Sequence, residues 1–237
     1  MTAGEPPPED KRRWKKPKDA GAETRALTVN AKGVKKRSSR EWIARQINDP
    51  YVQRAQAEGW RARSAFKLME LDDRFALIGK GMRVCDLGAA PGGWAQVALK
   101  RGAGAVVGID LLAVDALPGA TFLTMDFLDD AAPAALMTAL GGAPDLVLSD
   151  MAANTTGHRA TDQIKTGALA EAAADFALDV LAPGGAFLTK AFQGGLDGAL
   201  LAMLKTRFTE VRHAKPPASR SASPEIYVVA KGFKGAA

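Results

Sequence analysis

The chain has 237 residues, 47% of them hydrophobic, with 32 Lys/Arg against 26 Asp/Glu for a formal net charge of +6. That length and composition suit one α/β domain with a sizeable core and argue against a wholly disordered chain. One cysteine excludes an intramolecular disulfide, and no apolar run reaches the about 18 residues of a membrane helix. With no signal-peptide pattern at the amino end, a reducing, cytoplasmic location is expected.

The charge is unevenly placed. Residues 1–40 carry 12 Lys/Arg against 5 Asp/Glu, leaving 20 against 21 in the other 197. The clusters KRRWKKPK (Lys11–Lys18) and KGVKKRSSR (Lys32–Arg40) follow a Pro/Gly-rich lead-in that cannot bury enough apolar surface to order itself. Residues 1–38 are therefore expected to form a disordered basic arm that meets nucleic-acid phosphates by charge. Residues 39–237 form the folded domain.

A helix is predicted over Ser39–Trp60, with Ile43, Ile47 and Val52 as apolar contacts. A second is predicted over Ser64–Phe75, where Phe66, Leu68, Leu71 and Phe75 recur at helical spacing. These make a helical part over 39–80. From residue 81 onward the pattern alternates. Strands are predicted at Arg83–Leu87, Ala105–Asp110, Thr121–Met125, Asp145–Ser149, Ala186–Ala191, Glu210–Ala214 and Ile226–Ala230, with helices including Asp162–Leu181 and Gly195–Phe208 between most of them. Such alternation implies a Rossmann-like α/β fold: a seven-stranded, mostly parallel sheet with helices on both faces. Only KPPASRSASP separates the last two strands, too short for a crossover helix, so an antiparallel strand is expected near the end.

In a doubly wound sheet, ligands bind beyond the carboxyl ends of the strands. The loop after the first strand, in VCDLGAAPGGWAQVA, lacks the Gly-Lys-Ser/Thr of a phosphate-binding loop. It also lacks the G-x-G-x-x-G of a dinucleotide site, so a nicotinamide oxidoreductase is disfavoured. Gly88, Pro91, Gly92, Gly93 and Trp94 instead offer a stiff bend and close backbone approach. Four acids, Asp86, Asp110, Asp126 and Asp150, close successive strands. Asp110 can accept the hydroxyls of a ribose and Asp126 an adenine amino group. A row of carboxylates is a poor home for pyrophosphate and a good one for S-adenosylmethionine, a cationic, phosphate-free cofactor. Against this stands the plainer reading that such acids merely cap turns. Cys85, in the apolar strand, reads as a core residue, and His158 and His213 match no metal spacing, so no metal is expected.

The segments GWRARSAFKL, VCDLGAAPGGW, GIDLL, MDF, LSDMAAN, GGAFLTKAFQG and SRSASPEIYVVAKG, in that order over about Trp60–Gly232, resemble the FtsJ/RrmJ family of S-adenosylmethionine-dependent ribosomal RNA 2′-O-ribose methyltransferases. The resemblance implies a catalytic set of Lys67, Asp150, Lys190 and Glu225, with Asp150 also bordering the cofactor. It further implies a uridine in the A-loop of 23S rRNA as target, and a monomeric enzyme of the large ribosomal subunit. A lysine within AFLTKAF is chemically apt, because a ribose hydroxyl needs a group to accept its proton during in-line attack. Lys67 would set the charge beside Lys190, with Asp150 and Glu225 orienting both amines. RNA is expected along Arg61, Arg63, Arg220 and the arm. The chain departs from the family pattern at Ala153, at Ser64 within RARSAF, and at Pro224. A tRNA or other rRNA site, or a non-catalytic ribosome-assembly role, remain alternatives.

Overall fold

The computed structural model describes residues 47–153, 158–192 and 198–235. The basic arm lies outside them, as do residues 39–46 of the first predicted helix. Helix α1 (Pro50–Glu58) and helix α2 (Ser64–Phe75) lead into a βα series. This comprises β1 (Arg83–Leu87), α3 (Gly93–Lys100), β2 (Ala105–Asp110), β3 (Ala120–Thr124), α4 (Ala132–Leu140), β4 (Leu146–Ser149), α5 (Arg159–Val180), β5 (Ala186–Phe192), α6 (Gly198–Arg207), β6 (Phe208–Ala214) and β7 (Glu225–Phe233). No described helix is long and apolar enough to cross a membrane.

The seven strands form one sheet in the order β3-β2-β1-β4-β5-β7-β6. All neighbours up to β5 are parallel, while β7 inserts antiparallel between β5 and β6. The strand that reverses is thus the last in sequence but not the edge of the sheet. Strand order changes direction between β1 and β4, the switch point at which ligands collect in such folds.

The continuous helix predicted over Ser39–Trp60 does not hold. Asp49 leaves helical geometry (φ −78°, ψ 117°), and its carboxylate accepts the Tyr51 N–H at 3.0 Å to start α1 afresh. Pro50 is the cause: it disfavours helical backbone at the residue before it, yet fits the first turn of a new helix. Helix α2 and strands β1 and β2 match their predicted bounds, the other boundaries shift by one to three residues, and residues 195–197 of the predicted Gly195–Phe208 helix fall outside the described residues.

Side-chain alternation along the strands builds two cores. Cys85, Leu87, Val107, Ile109, Val147, Phe187, Val228 and Ala230 face α4, α5 and α6. Val84, Val106, Leu146, Leu148, Leu188, Tyr227 and Val229 face α2 and α3. Cys85 is fully buried, and desolvation pushes its thiol up to about 12, so it packs as a small apolar side chain. Period two then has a functional consequence. Asp86, Asp110, Asp150, Lys190 and Glu225 share parity with the residues facing α2 and α3, so their side chains emerge on a single face of the sheet.

Candidate active site

Two groups of residues meet at the carboxyl ends of the strands on that face. The first is the loop after β1. Gly88 adopts φ +80°, and a Cβ there would lie 2.9–3.0 Å from Met151. Only glycine therefore lets this loop approach the segment that follows β4 so closely. Asp110 braces the loop from β2: one carboxylate oxygen accepts the Ala90 N–H and the other the Leu112 N–H, both at 2.9 Å. Asp126 accepts the Leu128 N–H at 3.0 Å. Both acids thus cap turns, as the plainer reading held, and both retain lone pairs for a ligand. Gly92 and Gly93 are buried at the start of α3, and Pro91 is exposed at the loop tip after a cis peptide.

Trp94, expected to line the loop, belongs to the core instead. It is 3% exposed, its indole N–H donates to the Ser64 carbonyl at 2.8 Å, and its ring lies 5.9 Å from that of Tyr227. An indole tolerates burial when its single donor is satisfied, and α2 supplies the acceptor.

Asp86 is the most telling acid. It is fully buried, and among the described residues no donor meets hydrogen-bond geometry at either oxygen. The nearby Ala95 amide favours the charge but does not offset burial. Burial, with the charges of Asp150 and Asp110 nearby, pushes its carboxyl up to about 7. A buried, unpartnered acid at the switch point fits a positively charged ligand and opposes an anionic one.

The second group is a chain of charges. Lys67, from α2, places its Nζ 2.8 Å from each carboxylate oxygen of Glu225, at the start of β7. It also donates to the Tyr227 hydroxyl at 3.2 Å. That hydroxyl donates onward to Asp150 Oδ1 at 2.8 Å. Lys190, in β5, lies 3.2 Å from the same Oδ1 and donates to the Asp150 backbone carbonyl. All four charged side chains are less than a fifth exposed. Burial alone would raise the Asp150 carboxyl. The Lys190 and Lys67 charges and the Tyr227 hydroxyl outweigh it and hold the group below its ordinary value. Burial, and then the Asp150 and Glu225 charges, push the Tyr227 hydroxyl well above its usual range, so it remains a donor. Two cations, two anions and a neutral phenol form one buried network, strongest when every member is satisfied.

The four residues expected to act together are therefore in contact, joined by Tyr227, which sequence reasoning passed over. Its signal lay two residues beyond Glu225, the spacing that puts both on one face. Ser219 was also missed. It is nearly buried and donates to Glu225 Oε1 at 2.7 Å.

The arginines expected to meet RNA are engaged within the protein. Arg63 donates to Asp49 at 2.5 Å and to the Ala218 carbonyl, with only 16% of its side chain exposed. Arg220 also binds Asp49, at 3.0 Å, while 40% of its side chain stays exposed. Asp49 is thus both the cap of α1 and the anchor of the loop between β6 and β7. Arg61 directs its guanidinium to the carbonyls of Pro91, Asp115 and Ala116. Burial at Arg63 explains its commitment, since a desolvated guanidinium requires a counter-charge.

The family described as FtsJ-like methyltransferase matches residues 60–233. The ribosomal RNA large subunit methyltransferase E of Granulibacter bethesdensis is 61% identical over 212 residues, covering 89% of this chain and 92% of that one. The protein of the same name from Sphingopyxis alaskensis is 60% identical over 212 residues, covering 88% and 92%. Among solved structures, one described as a ribosomal RNA methyltransferase from Plasmodium falciparum superposes with a TM-score of 0.65 at 28% identity, over 75% of this chain and all of that one. With its buried charge network at the switch point of a mostly parallel sheet, this chain belongs to the FtsJ-like methyltransferase family.

Proposed function

We propose that this chain methylates a ribose 2′-hydroxyl of large-subunit ribosomal RNA, with a uridine of the 23S A-loop as its target, in the cytoplasm and as a monomer. The observation that carries the reading is the unbroken chain Lys67–Glu225, Tyr227, Asp150–Lys190 beside the loop held by Gly88 and Asp110. When bound, S-adenosylmethionine supplies an electrophilic methyl on a sulfonium, and transfer leaves a neutral thioether. Asp86 and Asp150 suit its two cationic centres, and Asp110 suits its ribose.

The protein's own part is positioning and proton handling. Lys190, gripped by Asp150 at both its carboxylate and its carbonyl, is the amine we assign to the 2′-oxygen in in-line attack. It steers that hydroxyl and, once its ammonium has given up a proton to solvent, the neutral amine receives the hydroxyl proton as the new O–C bond forms. Asp150 keeps the amine from swinging away, and Tyr227 passes the charge balance to the Lys67–Glu225 pair. Near-complete burial excludes bulk water and strengthens each contact. The target nucleotide must leave its stack to reach such a recess.

With Arg61 and Arg63 engaged internally, RNA affinity falls to the arm and the exposed part of Arg220. Removing residues 1–38 is expected to weaken RNA binding in a salt-dependent manner while the folded body persists. The deciding experiment maps ribose methylation in large subunits from cells with and without this chain. Loss of one uridine 2′-O-methyl mark, restored by the parent and not by Lys190→Ala, is the expected result. An unchanged methylation map overturns the reading.

A further inference from the structure

Arg61 sits in the short connection between α1 and α2, and its reach is unusual. One guanidinium nitrogen donates to the Pro91 carbonyl at 3.3 Å and to the Asp115 carbonyl at 2.7 Å. The other terminal nitrogen donates to the Ala116 carbonyl at 2.7 Å. Pro91 is in the loop after β1, whereas Asp115 and Ala116 are in the loop after β2. These two loops rise from adjacent strands on the ligand side of the switch point, and the rim between them is where Asp110 braces Ala90. The two loops are thus joined twice, once at the base by Asp110 and once at the top by Arg61.

The site for Arg61 is built. Its backbone N–H donates to the Gln96 side chain at 2.9 Å, and Gln96 donates in turn to the Gly59 carbonyl at 2.9 Å, so α3 clasps the segment from both sides. Gly92 makes room: a Cβ there would lie 2.7 Å from Arg61 Nη1 and 3.1 Å from Val114 Cγ1. The β1 loop, the arginine and the β2 loop meet at that point. The β2 loop needs such a tie, because Leu111 and Leu112 are 66% and 68% exposed and Asp115 and Ala116 are exposed as well. An arginine suits three diverging carbonyls because its planar fork presents several donors at fixed angles. A lysine amine cannot span them.

We propose that Arg61 is a positioning residue for the methyl donor: it ties together the two loops that bracket the cofactor and takes no part in RNA binding. This rests on the S-adenosylmethionine reading above. Without the tie, the β2 loop must be ordered at the moment of binding, which lowers affinity without altering the charge network that performs the transfer. The effect therefore belongs to cofactor affinity and not to the chemical step.

The test compares the full-length parent, Arg61→Ala and Arg61→Lys. Titration calorimetry with S-adenosylhomocysteine is expected to give a Kd raised about tenfold or more for Arg61→Ala, and less for Arg61→Lys, which keeps a single donor nitrogen. In turnover assays the KM for S-adenosylmethionine should rise in parallel. The kcat at saturating cofactor and the KM for RNA should stay within about twofold of the parent. If Arg61→Ala binds the cofactor product like the parent and loses RNA affinity instead, the proposal is overturned. A fall in thermal stability with cofactor affinity unchanged overturns it equally, by leaving Arg61 a purely structural role. Should Arg61→Ala not fold, Arg61→Lys carries the same two readouts. Absence of binding by the parent itself would remove the cofactor reading and not merely the role of Arg61.

Discussion

The β1–β3 half of the rim and the β4–β7 half solve different problems by different means. The first is built from backbone: glycine turns, amides, carbonyls, and acids whose oxygens accept N–H groups two to twenty residues away. The second is built from side chains at positions 67, 150, 190, 225 and 227, with Lys67 and Glu225 separated by 158 residues. A backbone rim can hold a flexible small molecule because its donors and acceptors are set by local geometry. A charge network needs the whole fold to bring its members together, and in return it resists rearrangement, since moving one member leaves another buried and unpaired.

Four changes probe that division, from the most to the least damaging. Lys190→Ala removes the amine proposed to meet the reacting oxygen. Methyl transfer should fall by about 10²–10⁴-fold while cofactor affinity stays within a few-fold, as single-turnover assays and calorimetry can check. Transfer at the parent rate would shift the chemistry to another residue. Asp49→Ala takes the counter-charge from Arg63 and Arg220 and the cap from α1. Stability should drop by roughly 2–4 kcal/mol in urea titrations, with the loop between β6 and β7 opening to hydrogen exchange.

Asp86→Asn tests the backbone half. Between pH 4 and 7 the native Asp86 keeps a proton that the unfolded chain has lost, since its carboxyl rises from 3.8 to about 7. This group therefore makes the parent less stable as pH increases through that window. The asparagine variant lacks the effect. It should gain on the parent steadily from pH 4 to 7, by about 1–3 kcal/mol at the upper end, in paired denaturation curves. The same change should weaken binding of the cationic donor more than of its neutral product, which tests whether Asp86 meets positive charge. The mildest is Tyr227→Phe, which cuts the link between the two ion pairs without emptying the core. We expect about 1 kcal/mol of stability lost and roughly a tenfold fall in turnover, with cofactor affinity unchanged. Unaltered turnover would mean that the two pairs act independently.

Much of the backbone half was legible in the sequence. A strand ending in an acid and followed by glycines is a local pattern, and the turn-capping of Asp110 and Asp126 follows from the same few residues. Of the proposed catalytic quartet, Asp150 at a strand end and Lys190 in an apolar strand drew notice by themselves, whereas Lys67 and Glu225 were legible only through resemblance, since Lys67 alone reads as a solvated helix lysine. Trp94, Arg61 and Arg63 show what local reading cannot see. A tryptophan after a glycine loop and arginines near a basic arm look like ligand contacts, until packing supplies an acceptor at Ser64, a carboxylate at Asp49 and three carbonyls around Arg61. The break at Asp49–Pro50 could have been read from the proline, and was not.

By itself, the order of residues determined the alternation of strands and helices and the single face on which the acids emerge. Both follow from short-range periodicity and side-chain size. The tertiary structure alone decided which charges pair, because ion pairs and hydrogen bonds depend on distances of a few ångströms between segments far apart in the chain. It also decided which arginines are tied within the fold, since a carboxylate or a set of carbonyls at the right distance turns a charge into an internal tie.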